Sequence, residues 1–281
     1  MMAGGIQPLL LDLYPNAAAA YSLRKLRNAY SGSAIRVRRS SDNAEQDIGF
    51  VGSNLDTTAL TTFCGAGNGF VTAWYDQSGN LRNATQTSAT FQPQIVSSGN
   101  VILKNGTPSI QFDGTNDCFN RIITVVNLRS FYFVGEVVAN NSIFAAWGSL
   151  GGIGNAFASS LAFGNTTGSL TGESINFFNG NSGTAPANFN STNYTTTNQE
   201  QILLSAYFNT GANGTIFVNN NNANMIANDY GIRTLDYQIG KRINLAQYYN
   251  LKMQEIIMYS TEESANNSGI NNNIKTYFSI P

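Results

Sequence analysis

Short apolar runs separated by turn-forming residues dominate the second half of the chain. Linkers rich in Asn, Gly, Ser and Thr join the runs RSFYFVGEVV, NSIFAAWGS, ESINFFNG, EQILLSAYFN, GTIFVNN and LKMQEIIMYS. Apolar runs bounded by turn residues are typical of strands, and continuous apolar stretches suit the inner sheet of a sandwich. The pattern predicts an all-β sandwich with a few short helices.

Three segments outside these runs have the features of helices. The segment Pro15 to Tyr30 combines an alanine run with a proline suited to a first turn, and Ser31-Gly32 follows as a stop signal, so a helix is predicted there. Asp56 is a plausible N-cap for the short helix TTALTTF, which Gly65 would end. Thr261 is expected to cap a last helix that reaches Tyr277. That helix would pack through Ile270, Ile274 and Phe278.

Two further segments of the first half have the pattern of strands. In AIRVRRS, Ile35 and Val37 alternate with polar residues, as in a half-buried strand. The run GFVTAWY reads as a second strand, which leads into the turn Asp76-Gln77-Ser78-Gly79-Asn80.

The charge balance excludes several classes of function. The chain has 15 Lys and Arg against 16 Asp and Glu, only 11% charged residues, and no histidine. A neutral chain cannot bind nucleic acid by charge, and without histidine there is no Ser-His-Asp relay and no His-ligated metal. No cofactor, metal or nucleic-acid partner is expected. The opening segment has neither a charged-then-apolar leader nor a membrane-spanning length, so no membrane partner is expected either.

The start of the chain forms an apolar strip. Residues 1–14 are interpreted as an anchoring segment that a partner would order, ahead of a single domain over residues 15–281. On this interpretation, deletion of residues 1–13 would leave thermal unfolding of the domain almost unchanged. The strip consists of Ile6, Leu9, Leu10, Leu11 and Leu13.

Cysteines and arginines leave two alternatives open. Cys64 and Cys118 could form one disulfide, but two buried thiols are favoured in a chain of this length. Arg36, Arg38 and Arg39 could form an anion site, or a local ion-pair network with neighbouring carboxylates. The network is favoured because Asp42, Glu45 and Asp47 lie close by in sequence.

One stretch of the first half carries a specific resemblance. The segments YSLRKLRNAYSGSAIRVRRSSDNAEQDIGF, FCGAGNGFVTAWYDQSGNLRNATQ and QPQIV resemble the catalytic domain of glycoside hydrolase family 54, the type B α-L-arabinofuranosidases. The same stretch is similar to a segment of bacteriophage virion proteins. From about Arg129 onward the chain is similar to concanavalin A-like, laminin-G-like sandwiches. The resemblance implies a two-sheet jelly roll.

The resemblance also implies where catalytic carboxylates would stand. Retaining glycosidases need two carboxyl groups, and in this family one lies on a strand while the other follows a glycine pair in a late loop. The corresponding loop here reads Ile239-Gly240-Lys241-Arg242-Ile243-Asn244, with basic residues in place of the acid. Glu136 and Glu255 lie in strand-like runs without the family's surroundings. No catalytic residue, and no cleavage of arabinosides, is therefore expected.

Asp76 is the remaining carboxylate of interest in the first half. It could act as an acid, or bind a sugar or Ca²⁺ together with Asp113 and Asp117 of the sequence DGTND. Alternatively it accepts backbone hydrogen bonds in a turn, which is favoured because calcium needs six to eight converging oxygens.

Aromatic residues offer two interpretations as well. Trp74 and Trp147 lie in apolar runs and are expected in the core. A second group lies in or near polar loops, where its rings could stack on sugars or could pin the loops to the sandwich. That glycan-binding group is Phe189, Tyr194, Tyr230, Tyr248 and Tyr249.

Together these features predict a structural component of a bacteriophage virion rather than an enzyme. It would be a head or tail fibre or another surface appendage, assembled in the host cytoplasm, with a lectin-like domain able to bind glycans. A homotrimer is expected, since uncharged surfaces repel one another little, and its partners would be capsid, portal or tail proteins. An arabinofuranosidase-like hydrolase and a bacterial carbohydrate-binding module are the alternatives.

Overall fold

The structure is a computed structural model that describes residues 7–125, 127–137, 160–163, 175–178, 190–191, 200–208, 214–219, 221–224, 235–241, 248 and 250–281. Three α-helices lie within these ranges: α1 (Leu10–Leu13), α2 (Thr57–Cys64) and α3 (Asn267–Phe278). A 3-10 turn covers Ala89–Phe91. None of the described helices is long and apolar enough to cross a membrane.

Strands make up most of the described chain. In the first half they are β1 (Ala17–Ser22), β2 (Ile35–Arg39), β3 (Glu45–Ile48), β4 (Phe50–Val51), β5 (Asn54–Leu55), β6 (Gly69–Trp74), β7 (Ala84–Thr85), β8 (Gln94–Ser97), β9 (Asn100–Val101), β10 (Leu103–Lys104), β11 (Thr107–Pro108) and β12 (Ile110–Asp113). In the second half they are β13 (Phe119–Val125), β14 (Ser130–Val137), β15 (Ser160–Phe163), β16 (Ile175–Phe178), β17 (Asn190–Ser191), β18 (Glu200–Phe208), β19 (Gly214–Val218), β20 (Asn221–Asn224), β21 (Leu235–Ile239) and β22 (Asn250–Tyr259).

Antiparallel pairing builds one large sheet around β22. The sheet runs in the order β20-β19-β18-β14-β22-β12-β8-β6-β2-β3. One edge of β22 pairs with β14, while the other edge pairs with β12 through its first half and with β1 through its second half. Strands β13 and β21 form a separate pair. The last strand before the C-terminal helix therefore lies inside the large sheet, paired on both edges.

Two apolar clusters cover opposite faces of the large sheet. The first cluster contains Trp74, Phe112 and Phe119, all fully buried, and thereby joins the β13 and β21 pair to the large sheet. The second contains Leu10, Tyr132 and Phe278 and packs α1 and α3 against β14 and β22. This arrangement confirms the predicted all-β, jelly-roll-like sandwich with a few short helices.

Helix α2 and strand β2 also confirm their predictions. Asp56 caps α2 by accepting a hydrogen bond from the N–H of Ala59 at 2.8 Å, and Gly65 ends the helix with a φ of 59°. Ile35 and Val37 are fully buried in β2 while Arg36 is exposed. Signals within each segment were therefore enough to predict both elements.

The helix predicted from Pro15 to Tyr30 is wrong. Ala17 to Ser22 form strand β1, whose six residues are all buried. Asn16 has a φ of 66°, which prevents a helix from starting at Pro15. β1 pairs with β22 and is buried on both of its faces. These tertiary contacts outweigh the helix propensity of the alanines.

The last helix begins later than predicted. Its N-cap is Asn266 rather than Thr261, whose side chain instead donates to Glu263 at 2.5 Å. Ile270, Ile274 and Phe278 are buried as predicted. The predicted packing face of this helix is therefore confirmed, and its predicted start at Thr261 is wrong.

The apolar strip at the start of the chain differs from its interpretation as an anchor for a partner. Leu10 and Leu11 are 1% and 5% exposed within the second cluster of this same domain, whereas Leu13 is 49% exposed. The N–H of Leu11 donates to the carbonyl of Leu26 at 2.7 Å. Apolar side chains so close to a sheet face are buried by their own domain. Leu9 is partly exposed, and Ile6 lies outside the described residues.

Candidate active site

A loop that links the large sheet to the β13 and β21 pair carries two carboxylates. β12 ends at Asp113, opposite Asn250 of β22, and β13 begins at Phe119, opposite Ile239 of β21. Residues 114–118 cross between these strands. We call residues 113–118 the crossover loop.

Asp113 and Asp117 hold the crossover loop through reciprocal hydrogen bonds. The N–H of Asp113 donates to Oδ2 of Asp117 at 3.0 Å. Oδ1 of Asp113 accepts from the N–H groups of Thr115, Asn116 and Asp117 at 2.8, 3.1 and 3.3 Å. Each carboxylate is therefore fixed next to the backbone of the other residue, and their charges interact.

Asp117 is the more perturbed acid of the two. It is 9% exposed, while Asp113 lies at the surface. Burial, and then the negative charge of Asp113, raise the pKa of Asp117 to about 7, against the opposing effect of one backbone hydrogen bond. A carboxyl group with this pKa is partly protonated near neutral pH and can donate a proton.

The late loop after β21 lies against this acid. Gly240 has a φ of 90°, and a Cβ atom there would stand 3.0 Å from the carbonyl oxygen of Asp117 and collide with the ring of Phe112. Glycine is required at this close approach. Lys241 follows directly, so the basic residue of the late loop is brought beside the crossover loop.

Tyr248 completes the described part of the site. It forms an isolated β-bridge with Lys241, whose Nζ lies 5.6 Å from the centroid of the Tyr248 ring. Both side chains are half-buried. The Lys241 ammonium and the Tyr248 ring therefore lie together on the late loop, whose Gly240 contacts the backbone of the crossover loop.

Cys118 anchors the base of the crossover loop. Its carbonyl accepts a hydrogen bond from Nε2 of Gln86 at 2.7 Å, and its N–H donates to the carbonyl of Phe91 at 2.9 Å. Burial raises the pKa of the Cys118 thiol, so it is held neutral. Cys64 and Cys118 are both free and buried, which confirms the prediction of two buried thiols.

Asp76 has the structural role that was favoured for it. Its carboxylate accepts from the N–H groups of Ala20, Ser78 and Arg82 at 2.8, 2.9 and 3.0 Å and from the hydroxyl of Ser78 at 2.8 Å. The hydrogen bond from Ala20 joins the turn to β1, and the other three fix the turn itself. Within the described residues, no three His, Cys, Asp or Glu side chains are grouped to hold a metal.

The arginines of β2 form local contacts, as favoured. Arg36 pairs with Asp47 and Arg39 pairs with Asp42, at 2.8 and 2.7 Å. Arg38 differs from the prediction because its donors meet Gln92 and Asn43, which are neutral.

Glu136 and Glu255, the strand glutamates considered from the sequence, are both ion-paired. Glu255 is fully buried and binds Arg24 and Ser22, while Glu136 lies within 3.2 Å of the amino groups of both Lys104 and Lys252. Both carboxylates therefore have structural cation partners within the described residues.

Only some of the remaining candidates from the sequence lie among the described residues. Trp74 is fully buried, as predicted for a core residue. Tyr248 lies on the late loop at the candidate site, and its role in glycan binding stays a prediction. The following candidates lie outside the described residues: Trp147, Phe189, Tyr194, Tyr230, Arg242 and Tyr249.

The sequence alone identified Asp113 and Asp117 only as possible ligands beside Asp76. The missed feature was the raised pKa of Asp117. A signal for it exists in the sequence, since Asp117 directly precedes Cys118 and Phe119, two residue types that are often buried.

Comparison with known proteins gives matches of fold and of family. The family model described as alpha-L-arabinofuranosidase B, catalytic, matches residues 12–116, a little over a third of the chain. A solved arabinofuranosidase complexed with arabinofuranosyl-α-1,2-xylobiose has a TM-score of 0.66 and 17% identity over 92% of this chain and 62% of that one. A GH54 α-L-arabinofuranosidase soaked with a cyclic sulfate inhibitor has a TM-score of 0.64 and 16% identity over the same shares. The comparison with curated proteins finds no match.

The fold is that of a GH54 arabinofuranosidase-like catalytic domain. The chain spans 62% of the length of these solved structures. The matches overturn the prediction of a structural bacteriophage virion component and the prediction that the chain is not an enzyme, because they fall on the catalytic domain of a hydrolase and none indicates a virion, capsid or fibre protein.

Proposed function

We propose that this chain is a glycoside hydrolase domain that acts on α-L-arabinofuranosides. The observation that carries the proposal is the catalytic-domain family match over residues 12–116. The likeness of 92% of the chain to solved arabinofuranosidases supports the same conclusion. The match ends within the crossover loop, at the start of the candidate active site.

Asp117 is proposed as the proton donor. Its carboxyl gives a proton to the glycosidic oxygen as the bond between that oxygen and the anomeric carbon breaks. Water then adds to the anomeric carbon through its oxygen and gives one proton back to the Asp117 carboxylate. Asp113 is proposed as the ionised partner, whose negative charge favours the positive charge that develops on the sugar. This division of roles agrees with the effect of Asp113 on the pKa of Asp117.

The basic late loop does not prevent this chemistry. The family resemblance implied an acid in that loop, where Lys241 stands instead. Gly240 packs this loop against Asp117, so a carboxyl from the opposite loop reaches the same end of the sandwich. We infer that the acid is supplied by the crossover loop in this chain.

Hydrolysis of two arabinofuranosides that differ only in the leaving group tests this role. We expect Asp117→Asn to slow release of a poor leaving group, such as methanol from methyl α-L-arabinofuranoside, by about 100-fold or more. Release of 4-nitrophenolate needs little protonation and should slow far less. We also expect the wild-type rate on the methyl arabinoside to fall as the pH rises through about 7, where Asp117 loses its proton.

The control is Asp42→Asn, which removes an exposed carboxylate paired with Arg39, the last residue of β2. It should leave both rates unchanged. Equal loss on both substrates in Asp117→Asn, or no turnover by the folded wild-type chain, would contradict the proposal.

A further inference from the structure

A polar pocket of about 440 Å³ lies on the side of the domain where β1 meets the turn after β6. Its lining includes Arg27, Arg82, Asn16, Ser78 and Asn80. The pocket shares no lining residue with the crossover loop. Its volume falls within the range of small-molecule sites.

Two guanidinium groups line this pocket without a carboxylate partner. Among the described residues, neither Arg27 nor Arg82 has a carboxylate oxygen within 4.0 Å, although Arg24, Arg36 and Arg39 all do. The nearby carboxylate of Asp76 is already bound by four N–H or O–H donors. Neither guanidinium group of the pocket is therefore paired directly with a carboxylate of the described residues.

The fold holds both guanidinium groups in place. Nη1 of Arg82 donates to the carbonyl oxygen of Ala18, which also accepts from Nδ2 of Asn80 at 3.0 Å. Gly79 has a φ of 96°, and a Cβ atom there would stand 2.8 Å from Nη2 of Arg27. The turn thus lies directly against the Arg27 guanidinium, and its positive φ at Gly79 favours glycine.

Arg27 also has an unused donor. Its Nε is buried and has no hydrogen-bond partner within the described structure. Burying an arginine without using its donors is costly unless another group compensates. Since Nε is closed to solvent, the terminal amino groups are the donors that a ligand can reach.

We propose that this pocket binds the carboxylate of a uronic acid residue in a glycan. Planar guanidinium groups bind carboxylates with two parallel hydrogen bonds, and the neutral side chains of Asn16, Ser78 and Asn80 suit sugar hydroxyls. The choice of a sugar acid over another carboxylate rests on the proposed function. The pocket would then direct the domain to acidic polysaccharides.

Calorimetric titration of the full chain with free monosaccharides tests the proposal. D-galacturonate and D-glucuronate should bind, whereas D-galactose and D-glucose, which lack the carboxylate, should not. Arg27→Gln and Arg82→Gln should each weaken uronate binding by about 10-fold or more, and Arg27→Lys by less than Arg27→Gln. Arg121→Gln is the matched control, because Arg121 lies outside the lining and, within the described residues, its guanidinium donates to the carbonyl of Asn83.

Three results would overturn the proposal: equal binding of neutral sugars, phosphate binding as tight as uronate binding, or unchanged affinity in the folded Arg27 and Arg82 variants. Thermal unfolding of each variant verifies that it is folded. Free monosaccharides have no glycosidic bond to cleave, so uronate binding without arabinoside turnover would contradict the proposed function alone. Turnover without uronate binding would contradict this inference alone.

Discussion

Buried carboxylates in this domain differ in how many donors reach them, and that number separates structural acids from a reactive one. Asp76 has four donors and Glu255 binds both a guanidinium and a hydroxyl. Asp117 accepts one hydrogen bond within the described residues, from the N–H of Asp113, and faces a negative charge as well. Burial and the charge of Asp113 therefore oppose ionisation at Asp117.

The raised pKa of Asp117 makes stability depend on pH in a defined direction. An aspartate has an ordinary pKa of about 3.9, so between that value and about 7 the folded state holds a proton that the unfolded state has lost. This contribution to stability is complete below about pH 4 and is lost as the pH rises to about 7. Relative to Asp117→Asn, the wild type should lose at most about 1.4 kcal/mol of unfolding free energy per pH unit in this window.

Urea unfolding of both proteins from pH 4.5 to 8 measures this difference. The two curves of unfolding free energy against pH should diverge up to about pH 7 and run parallel above it. Parallel curves throughout would mean that Asp117 is ionised in the folded state.

Glu255 is expected to behave as a structural acid. It is fully buried, and its two oxygens accept from Nε and Nη2 of Arg24 at 2.7 and 2.9 Å. Glu255→Gln should lower the unfolding free energy by about 3–5 kcal/mol, because it leaves the buried Arg24 without a counter-charge. Asp47→Asn breaks an exposed pair with Arg36 and should cost about 1 kcal/mol or less.

Denaturant unfolding of the two variants distinguishes these cases. A similar cost for both variants would show that burial does not control the strength of these pairs. Loss of activity in Glu255→Gln would also have to be corrected for its unfolded fraction before any catalytic role is assigned.

Elements with a local signal were predictable, whereas elements fixed by distant partners were not. α2 has its cap at Asp56 and its stop at Gly65 within one short segment. β1 has no alternating pattern, since both of its faces are buried, Ala19 and Tyr21 in one cluster and Ala20 in the other. An alanine-rich segment of this kind looks helical until its partner strand, over 230 residues away, is known.

The candidate active site shows the same division. The sequence identified the acids of the crossover loop, but the raised pKa of Asp117 depends on burial, and part of that burial comes from the late loop at Gly240. No pattern within the crossover loop encodes this approach. The glycine at position 240 was visible in the sequence, but its role follows only from the packing against Phe112.

The first helix offers a matched test of burial. Leu10 and Leu11 are in the second cluster and Leu13 is 49% exposed. Leu10→Ala should lower the unfolding free energy by about 2–5 kcal/mol, while Leu13→Ala should change it by about 0.5 kcal/mol or less. Thermal or urea unfolding of the two variants provides the measurement.

An equal and small effect of both leucine substitutions would restore the earlier interpretation of this strip as an anchor ordered by a partner. A large effect of Leu10→Ala alone would mean that deletion of residues 1–13 destabilises the domain, contrary to the expectation from sequence. The division into residues 1–14 and 15–281 stays a prediction.

At the scale of the whole molecule, the large sheet is conserved in shape while its sequence differs widely from those of the matched structures. The likeness covers 92% of the chain at 16–17% identity. Strand pairing and buried volume can be kept by many apolar sequences, whereas single functional residues can move between loops. The homotrimer stays a prediction. It is supported by the low charge of the chain alone, because the analogy with trimeric fibre proteins depended on the virion assignment, which is wrong.

Pairing between the two ends of the chain gives the last prediction. β1 pairs with the second half of β22, in the register Ala20 to Ile257 and Tyr21 to Ile256, and β14 pairs with the opposite edge of β22. All residues of β1 are buried, so its amides can exchange with solvent only when the sheet opens.

We therefore expect the amides of β1 and of the second half of β22 to exchange with one common free energy of opening. The two-residue strands β4 and β5 pair with each other outside the large sheet, with one isolated bridge from Asn54 to Arg24, and should exchange faster. Native-state hydrogen exchange at increasing denaturant measures both. Exchange of β1 at a markedly lower free energy than β22 would show that the N-terminal strand detaches by itself, and that the ends of the chain do not unfold as one unit.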